Sequence, residues 1–260
     1  MPTNYIEYLK IDRLLDLQEV QSDPPEHDET LFIIIHQVYE LWFKLLLHEF
    51  QKIRSDFSRN DLFGAIATFK RARTVIKTLV SQLDILETMT PMSFTRFRDY
   101  LETASGFQSV QFRELEFLLG FKRPSLLGYF RGNPTGHATL TARLKERSVV
   151  DHFYDFLEHR GVDIPPELRE REVALPAIAN EVIQAALLDF YRSKPDVAML
   201  LELMTDCDEG MQEWRYRHVK MVERTIGNKH GTGGSPGVAF LKESLFKPIF
   251  PDLWAVRHQL

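Results

Sequence analysis

Apolar residues recur every three or four positions along almost all of this chain, and that period constrains its fold more than any other feature. Such spacing places residues i, i+3, i+4 and i+7 on one face of a helix. No run of alternating apolar and polar residues stands out, and no Asn-Gly or Asp-Gly pair offers a hairpin turn. The chain is therefore predicted to be all-α. Its punctuation suits a helical bundle. SDPPEHD at 22–28 reads as a loop, with Asp28 as N-cap of a helix over about 29–57. Asp61 opens a helix running to about Thr88. Ser93 caps one through Tyr100, TASG at 103–106 breaks the chain, and a helix follows to Leu119. Residues 121–137 read as a loop-rich connector, Ala138–Glu158 as one charged helix, and 161–167 as a loop. Helices are predicted at 176–192 and 196–226, the second capped by Asp196 and stopped by Gly227. GTGGSPG at 231–237 then precedes a short terminal helix. Residues 1–260 read as a single domain, with 1–20 as an N-terminal arm and 121–175 as a variable middle insertion.

Charge and cysteine content remove several function classes. A net charge of −5 gives no basic excess for nucleic acid. The single cysteine, Cys207, excludes an internal disulfide framework, a CxxC zinc site and covalent haem attachment through CxxCH. It suits a reducing, cytoplasmic home. The N-terminus has no apolar core of the kind a signal peptide carries. The most apolar stretch, Leu31–Leu47, is interrupted by His36, Gln37, Glu40 and Lys44, so it reads as a buried helix rather than a membrane span.

Two histidines fall inside apolar stripes. His36 shares a face with Phe32, Tyr39, Phe43 and Leu46, and His218 one with Cys207, Met211 and Trp214. Each alone is compatible with a core histidine that finds local partners. Together they can face each other across a bundle, and a buried neutral imidazole is a good ligand for haem iron, zinc or copper. No HExxH is present, and neither long helix carries the ExxH pair of a di-iron bundle. Haem needs one axial ligand and a large apolar slot, which aromatic residues at 12% can supply, so haem is the best metal reading. GTGGSPG follows a helix and lacks the Lys-Ser/Thr of a P-loop. It is either a loop over an active site, with Thr232 as its hydroxyl, or a plain connector. Arg98, among Phe94, Phe97 and Tyr100, can clamp a carboxylate or make a structural pair. Tyr5, Tyr8 and Leu9 are packing residues or part of an arm reaching a neighbouring subunit.

Four strings carry a family resemblance: NYIEYLKIDRLLDLQ at 4–18, HDETLFIIIHQVYELWFK at 27–44, FRDYLETASGFQSVQFR at 97–113 and WRYRHVKMVERTIGNKHGTGGSPGV at 214–238. In order and over nearly the whole chain they resemble the tryptophan 2,3-dioxygenase family. The resemblance implies an all-α haem pocket, non-covalent haem b, and a homotetramer built as a dimer of dimers. It implies opening of the indole ring of L-tryptophan with O2 to give N-formyl-L-kynurenine. By position in those motifs, His218 is the expected axial iron ligand and His36 the distal partner of the indole N–H. Arg98 is the expected carboxylate clamp, Thr232 a partner of the substrate ammonium, and Phe32 a pocket wall. Ser105 and Gly106 place backbone beside haem and substrate, and Tyr5, Tyr8 and Leu9 complete a neighbour's pocket. Two positions depart from the usual pattern. Pro236 replaces a serine and is expected to stiffen the loop, and Phe94 stands where some members have tyrosine. A related haem monooxygenase acting on an aromatic amino acid, and a haem-binding bundle without turnover, are the rival readings.

Overall fold

A computed structural model describes residues 4–227, 229, 231–232 and 237–260, and among them every regular element is a helix. Two short helices, α1 (Tyr5–Leu9) and α2 (Ile11–Leu15), form the arm. The long α3 (His27–Ser58) and α4 (Leu62–Leu86) follow, then α5 (Pro91–Arg98), α6 (Val110–Leu119), α7 (Pro134–Lys145), α8 (Val149–Glu158) and α9 (Pro166–Arg169). The chain ends with α10 (Glu181–Ser193), the long α11 (Pro195–Ile226), α12 (Val238–Lys242) and α13 (Pro251–Ala255).

The core forms where the three long stripes meet. On α3, Ile35, Tyr39, Phe43, Leu46, Phe50, Ile53 and Phe57 are all buried, at steps of three or four. They face Ala65, Phe69, Ala72, Ile76, Leu79 and Leu83 of α4, and α11 packs against α4 as well. The two helices α4 and α11 approach closely because Gly210 has no side chain. A Cβ there would meet Ile76 Cγ2 at 2.8 Å. By length and apolarity α3 could cross a membrane, but one face is committed to α4, α6 and α8. A second, smaller core joins Phe107, Phe117, Leu126, Phe130, Leu140 and Leu144, with Phe240 packed against it. Residues 121–175, read as an insertion, thus contribute to both cores.

Several expected boundaries move, each for a local reason. Helix α3 begins at His27 after Glu26 rather than after an Asp28 cap. The buried Glu29 instead turns back and accepts from the N–H groups of Gln21 and Ser22 at 2.8 and 3.0 Å, tying the preceding loop to the helix. Thr90, not Ser93, caps α5, accepting from Ser93 N. The predicted 138–158 helix is two helices. Ser148 and Asp151 form a reciprocal capping box that starts α8 afresh, and Asn133 caps α7 earlier, inside the expected connector. Asn180 starts α10 later than predicted by accepting from Val182 and Ile183. Pro195 occupies the first position of α11, where a missing N–H costs nothing, so Asp196 lies inside the helix. Gly227 ends α11 with φ 60°, as its glycine suggested.

Asp208 of α11 anchors the C-terminal segment. It is fully buried, and its Oδ2 accepts from Ile249 N, Phe250 N and Trp254 Nε1 at 2.9, 2.9 and 3.0 Å. Burial raises its carboxyl above the ordinary range despite these bonds.

A half-buried imidazole joins α8 to α3. His152 Nδ1–H donates to Ser58 Oγ at 2.9 Å, because the Ser58 proton goes to the Arg54 carbonyl. His152 Nε2 is buried without a hydrogen-bond partner, so a proton there would meet no acceptor. Burial, then Arg54 and Arg147, push this imidazole from 6.5 down to about 4. The unfolded chain therefore binds a proton below pH 6.5 that the folded chain refuses until about pH 4, and stability falls across that window. Between pH 7 and pH 5 the contribution is at most about 2 kcal/mol, reduced by solvent screening because the ring is only partly enclosed. His152→Asn, which keeps a polar atom near Nδ1 but does not titrate, is expected to lose correspondingly less stability over that interval. Urea midpoints at the two pH values check this, and parallel losses in parent and variant would refute it.

Candidate active site

One cavity opens between α3, α5, α6, α11, α12 and the two breaks at 103–109 and 231–232. Its lining brings together Phe32, His36, Arg98, Ser105, Gly106, His218 and Thr232, seven residues drawn from three of the four strings quoted above. Tyr5, Tyr8 and Leu9 do not line it. They lie on α1 with most of the two tyrosines exposed.

His36 has a defined tautomer. Its Nδ1 lies 2.7 Å from the carbonyl of Phe32, one turn earlier. A carbonyl only accepts, so Nδ1 carries the proton and Nε2 keeps a lone pair. Burial lowers the affinity of this ring for a second proton, outweighing the Phe32 bond and Glu40. Phe32 packs on the imidazole at 4.1 Å between centroids, and is itself held by Phe94 and Phe97 at 5.8 and 5.5 Å. Phe94 thus belongs to the aromatic wall. Gln111 ties α6 to α3 through Glu40 Oε2 at 2.8 Å.

His218 sits one turn after Trp214 on α11. The two rings are parallel within 4°, with centroids 5.0 Å apart. Burial, then His36 and Arg113, push the His218 imidazole down to about 4, so it is neutral at pH 7. Among the described residues no group of three metal-ligating side chains gathers anywhere, and His218 shares the aromatic-walled cavity with one other imidazole, His36.

Arg98 is the last residue of α5, and its position follows from the Thr90 cap and Pro91 start. Thr232 Oγ donates to the carbonyl of Ala104, stitching the loop after α11 to the break before α6. The hydroxyl proton is then committed, and the oxygen can only accept from anything else. Residues 233–236, Pro236 among them, lie outside the described residues.

A charged cluster in the cavity wall is not apparent from the sequence. Glu116, Arg113, Arg123 and Arg215 all line the cavity. Glu116 accepts from Arg113 at 2.6 Å and Arg123 at 3.0 Å, and Arg215 lies 3.7 Å away. Burial alone would raise the Glu116 carboxyl, but the three arginines hold it below its usual range. Three cations face one anion. Arg215 is buried, gives Nη1 to the Lys247 carbonyl at 3.0 Å, and leaves Nε and Nη2 without hydrogen-bond partners. The wall therefore carries an excess of positive charge that an anionic group would satisfy.

The family model described as tryptophan 2,3-dioxygenase matches residues 1–162 and 167–260. A protein of Herpetosiphon aurantiacus named tryptophan 2,3-dioxygenase is 53% identical over 256 residues, 98% of either chain. One of the same name from Anaeromyxobacter sp. (strain K) is 49% identical over 256 residues, 98% of this chain and 96% of the relative. Another, from Saccharopolyspora erythraea, is 42% identical over 260 residues, covering 99% and 92%.

Proposed function

The chain belongs to the tryptophan 2,3-dioxygenase family, and from that membership we propose that it opens the indole ring of L-tryptophan with O2 to give N-formyl-L-kynurenine, at a non-covalently held haem b. The observation that carries this reading is the convergence of His36, Arg98, Thr232 and His218 on one cavity. The residues fit haem. His218 offers a single neutral imidazole, aromatic side chains supply the walls, and the orphaned nitrogens of Arg215 lie in a wall with excess positive charge. His218 would hold the iron, and Arg113, Arg123 and Arg215 would face the two haem carboxylates. The lone Cys207 is buried in the core, its thiol pushed up by burial, which accords with non-covalent attachment and a cytoplasmic home.

Bound haem supplies the oxygen activation that an aromatic ring cannot achieve with O2 alone. The chain's own side chains bind and orient. Arg98 receives the substrate carboxylate in a two-point grip. Thr232 Oγ, its own proton given to Ala104, accepts from the substrate ammonium. His36 Nε2 accepts the indole N–H, because Nδ1–H is already held by Phe32. Phe32 closes the wall beside it, and the backbone at Ser105 and Gly106 borders the substrate. Three fixed points suffice to orient an amino acid with a planar side chain. No strong base is required of the protein, and His36 stays neutral to act as acceptor. The exposed Tyr5, Tyr8 and Leu9 are read as completing a neighbouring subunit's pocket in a homotetramer built as a dimer of dimers.

The test uses the haem-loaded enzyme. It is reduced without air, given tryptophan, then exposed to isotopically labelled O2 while the spectrum and product are followed. Incorporation of both labelled atoms into N-formylkynurenine is expected. A product carrying one labelled atom would instead establish a monooxygenase, and no haem spectrum after supplementation would overturn the haem assignment.

A further inference from the structure

Histidines that hold a metal usually give their second ring N–H to a carbonyl or carboxylate, which fixes the plane of the ring. His218 has no such acceptor among the described residues. What it does have is Trp214. The indole lies parallel to the imidazole within 4°, centroids 5.0 Å apart, one turn earlier on the same helix. Trp214 is itself held on three sides. Phe112 lies at 4.8 Å, Tyr39 at 6.2 Å and Phe43 edge-on at 6.3 Å, so the indole is buried among three other rings. Resting on the reading of His218 as the haem ligand, we propose that Trp214 is a positioning residue that sets the plane of the His218 imidazole by offset parallel packing, in the role a hydrogen-bonded acceptor ordinarily fills.

The chemistry of the two devices differs. A carboxylate acceptor makes the ligating imidazole more basic as well as orienting it. A ring stack orients without adding negative charge, so the imidazole keeps the donor strength of a neutral ligand. The α-helical step from 214 to 218 makes the stack possible, since residues four apart lie one above the other on one face. The aromatics of α3 and α6 then fix the indole from behind.

The experiment compares haem-loaded parent, Trp214→Phe and Trp214→Leu. The readouts are the iron–histidine stretching band of the ferrous form, by resonance Raman, and the rate of haem transfer to an acceptor protein. Trp214→Phe keeps a flat ring and is expected to retain band position and width. Trp214→Leu keeps apolar volume without a ring face, and is expected to broaden or shift the band and release haem roughly 10-fold faster or more, the scale seen when a ligand's supporting partner is lost. A folded Leu variant, verified by its thermal melt, with the parent's band and haem-release rate would overturn the proposal. So would a Phe variant as disturbed as the Leu one. Should the Leu variant not fold, Trp214→Met fills the same space with a flexible chain and carries the same expectation. A parent without any iron–histidine band would defeat the assignment of His218 first, and this inference with it.

Discussion

His218→Ala is expected to yield a folded protein that neither takes up haem stoichiometrically nor turns over tryptophan. Its folding should survive because the imidazole holds nothing else in place. It has no hydrogen-bond partner among the described residues, and its ring contact is the Trp214 stack. Losing one aromatic pair costs on the order of 1 kcal/mol, well within the stability of a domain this size. No buried polar group is orphaned by the change. On the reading of His218 as the haem ligand, function depends on its neutral lone pair, and no group of three metal-ligating side chains among the described residues stands ready to replace it. Titration with haem, followed by its visible spectrum, measures the effect, and a thermal melt reports the fold. A variant with the parent's spectrum and rate would mean that the iron is held elsewhere. Partial recovery with free imidazole in His218→Gly would support the assignment independently.

Arg98→Ala should separate binding from haem chemistry. The variant is expected to show a normal haem spectrum and a loss of kcat/KM of about 100-fold to 1,000-fold, the range expected when a two-point charge-assisted bond worth about 3–4 kcal/mol is removed. Most of the loss should appear in KM, because the carboxylate is held alike before and during the reaction. Arg98→Lys retains charge but not the planar fork, and should fall between. Saturation curves for tryptophan and for tryptamine, which lacks the carboxylate, give the decisive comparison. If parent and Arg98→Ala handle tryptamine equally but tryptophan differently, the clamp is established. An unchanged tryptophan curve would remove Arg98 from the site.

Much of the architecture is legible from periodicity alone. The stripes that place His36 and His218 inside the bundle are visible as spacings, and Tyr39, Phe43, Leu46, Cys207, Met211 and Trp214 are buried where those spacings put them. The breaks are harder, because capping is decided by a few local bonds. Ser148-x-x-Asp151 was a readable start signal inside the supposed 138–158 helix, yet apolar periodicity on both sides hid it. Glu29 acts against its neighbours: a charged residue at a helix start reads as surface, but here it is buried by the loop it grips. The cavity wall shows the deeper difficulty. Arg113 and Glu116 look like an ordinary surface pair on α6, and only tertiary folding adds Arg123 and Arg215 from other elements. Spacing and local composition single out His36, His218, Arg98 and Thr232, but their separate roles come only with the long family strings, which record the outcome of folding. The stack of Trp214 on His218 could have been anticipated from its four-residue step, since helical geometry alone brings the two side chains over one another.

Asp208 also sets an order of events during synthesis. Its hydrogen-bond donors at Ile249, Phe250 and Trp254 are 41 to 46 residues further along the chain. A ribosome adding about 5–20 residues per second needs on the order of 2–9 s to deliver them. Until they arrive, burying that carboxylate would strand a charge, so the middle of α11 cannot settle against its neighbours for good. The pairing of α3 with α4 faces no such delay. Helix α11 is therefore the last of the three long helices to be locked, and the lock is supplied by residues 249–254, none of which lines the cavity.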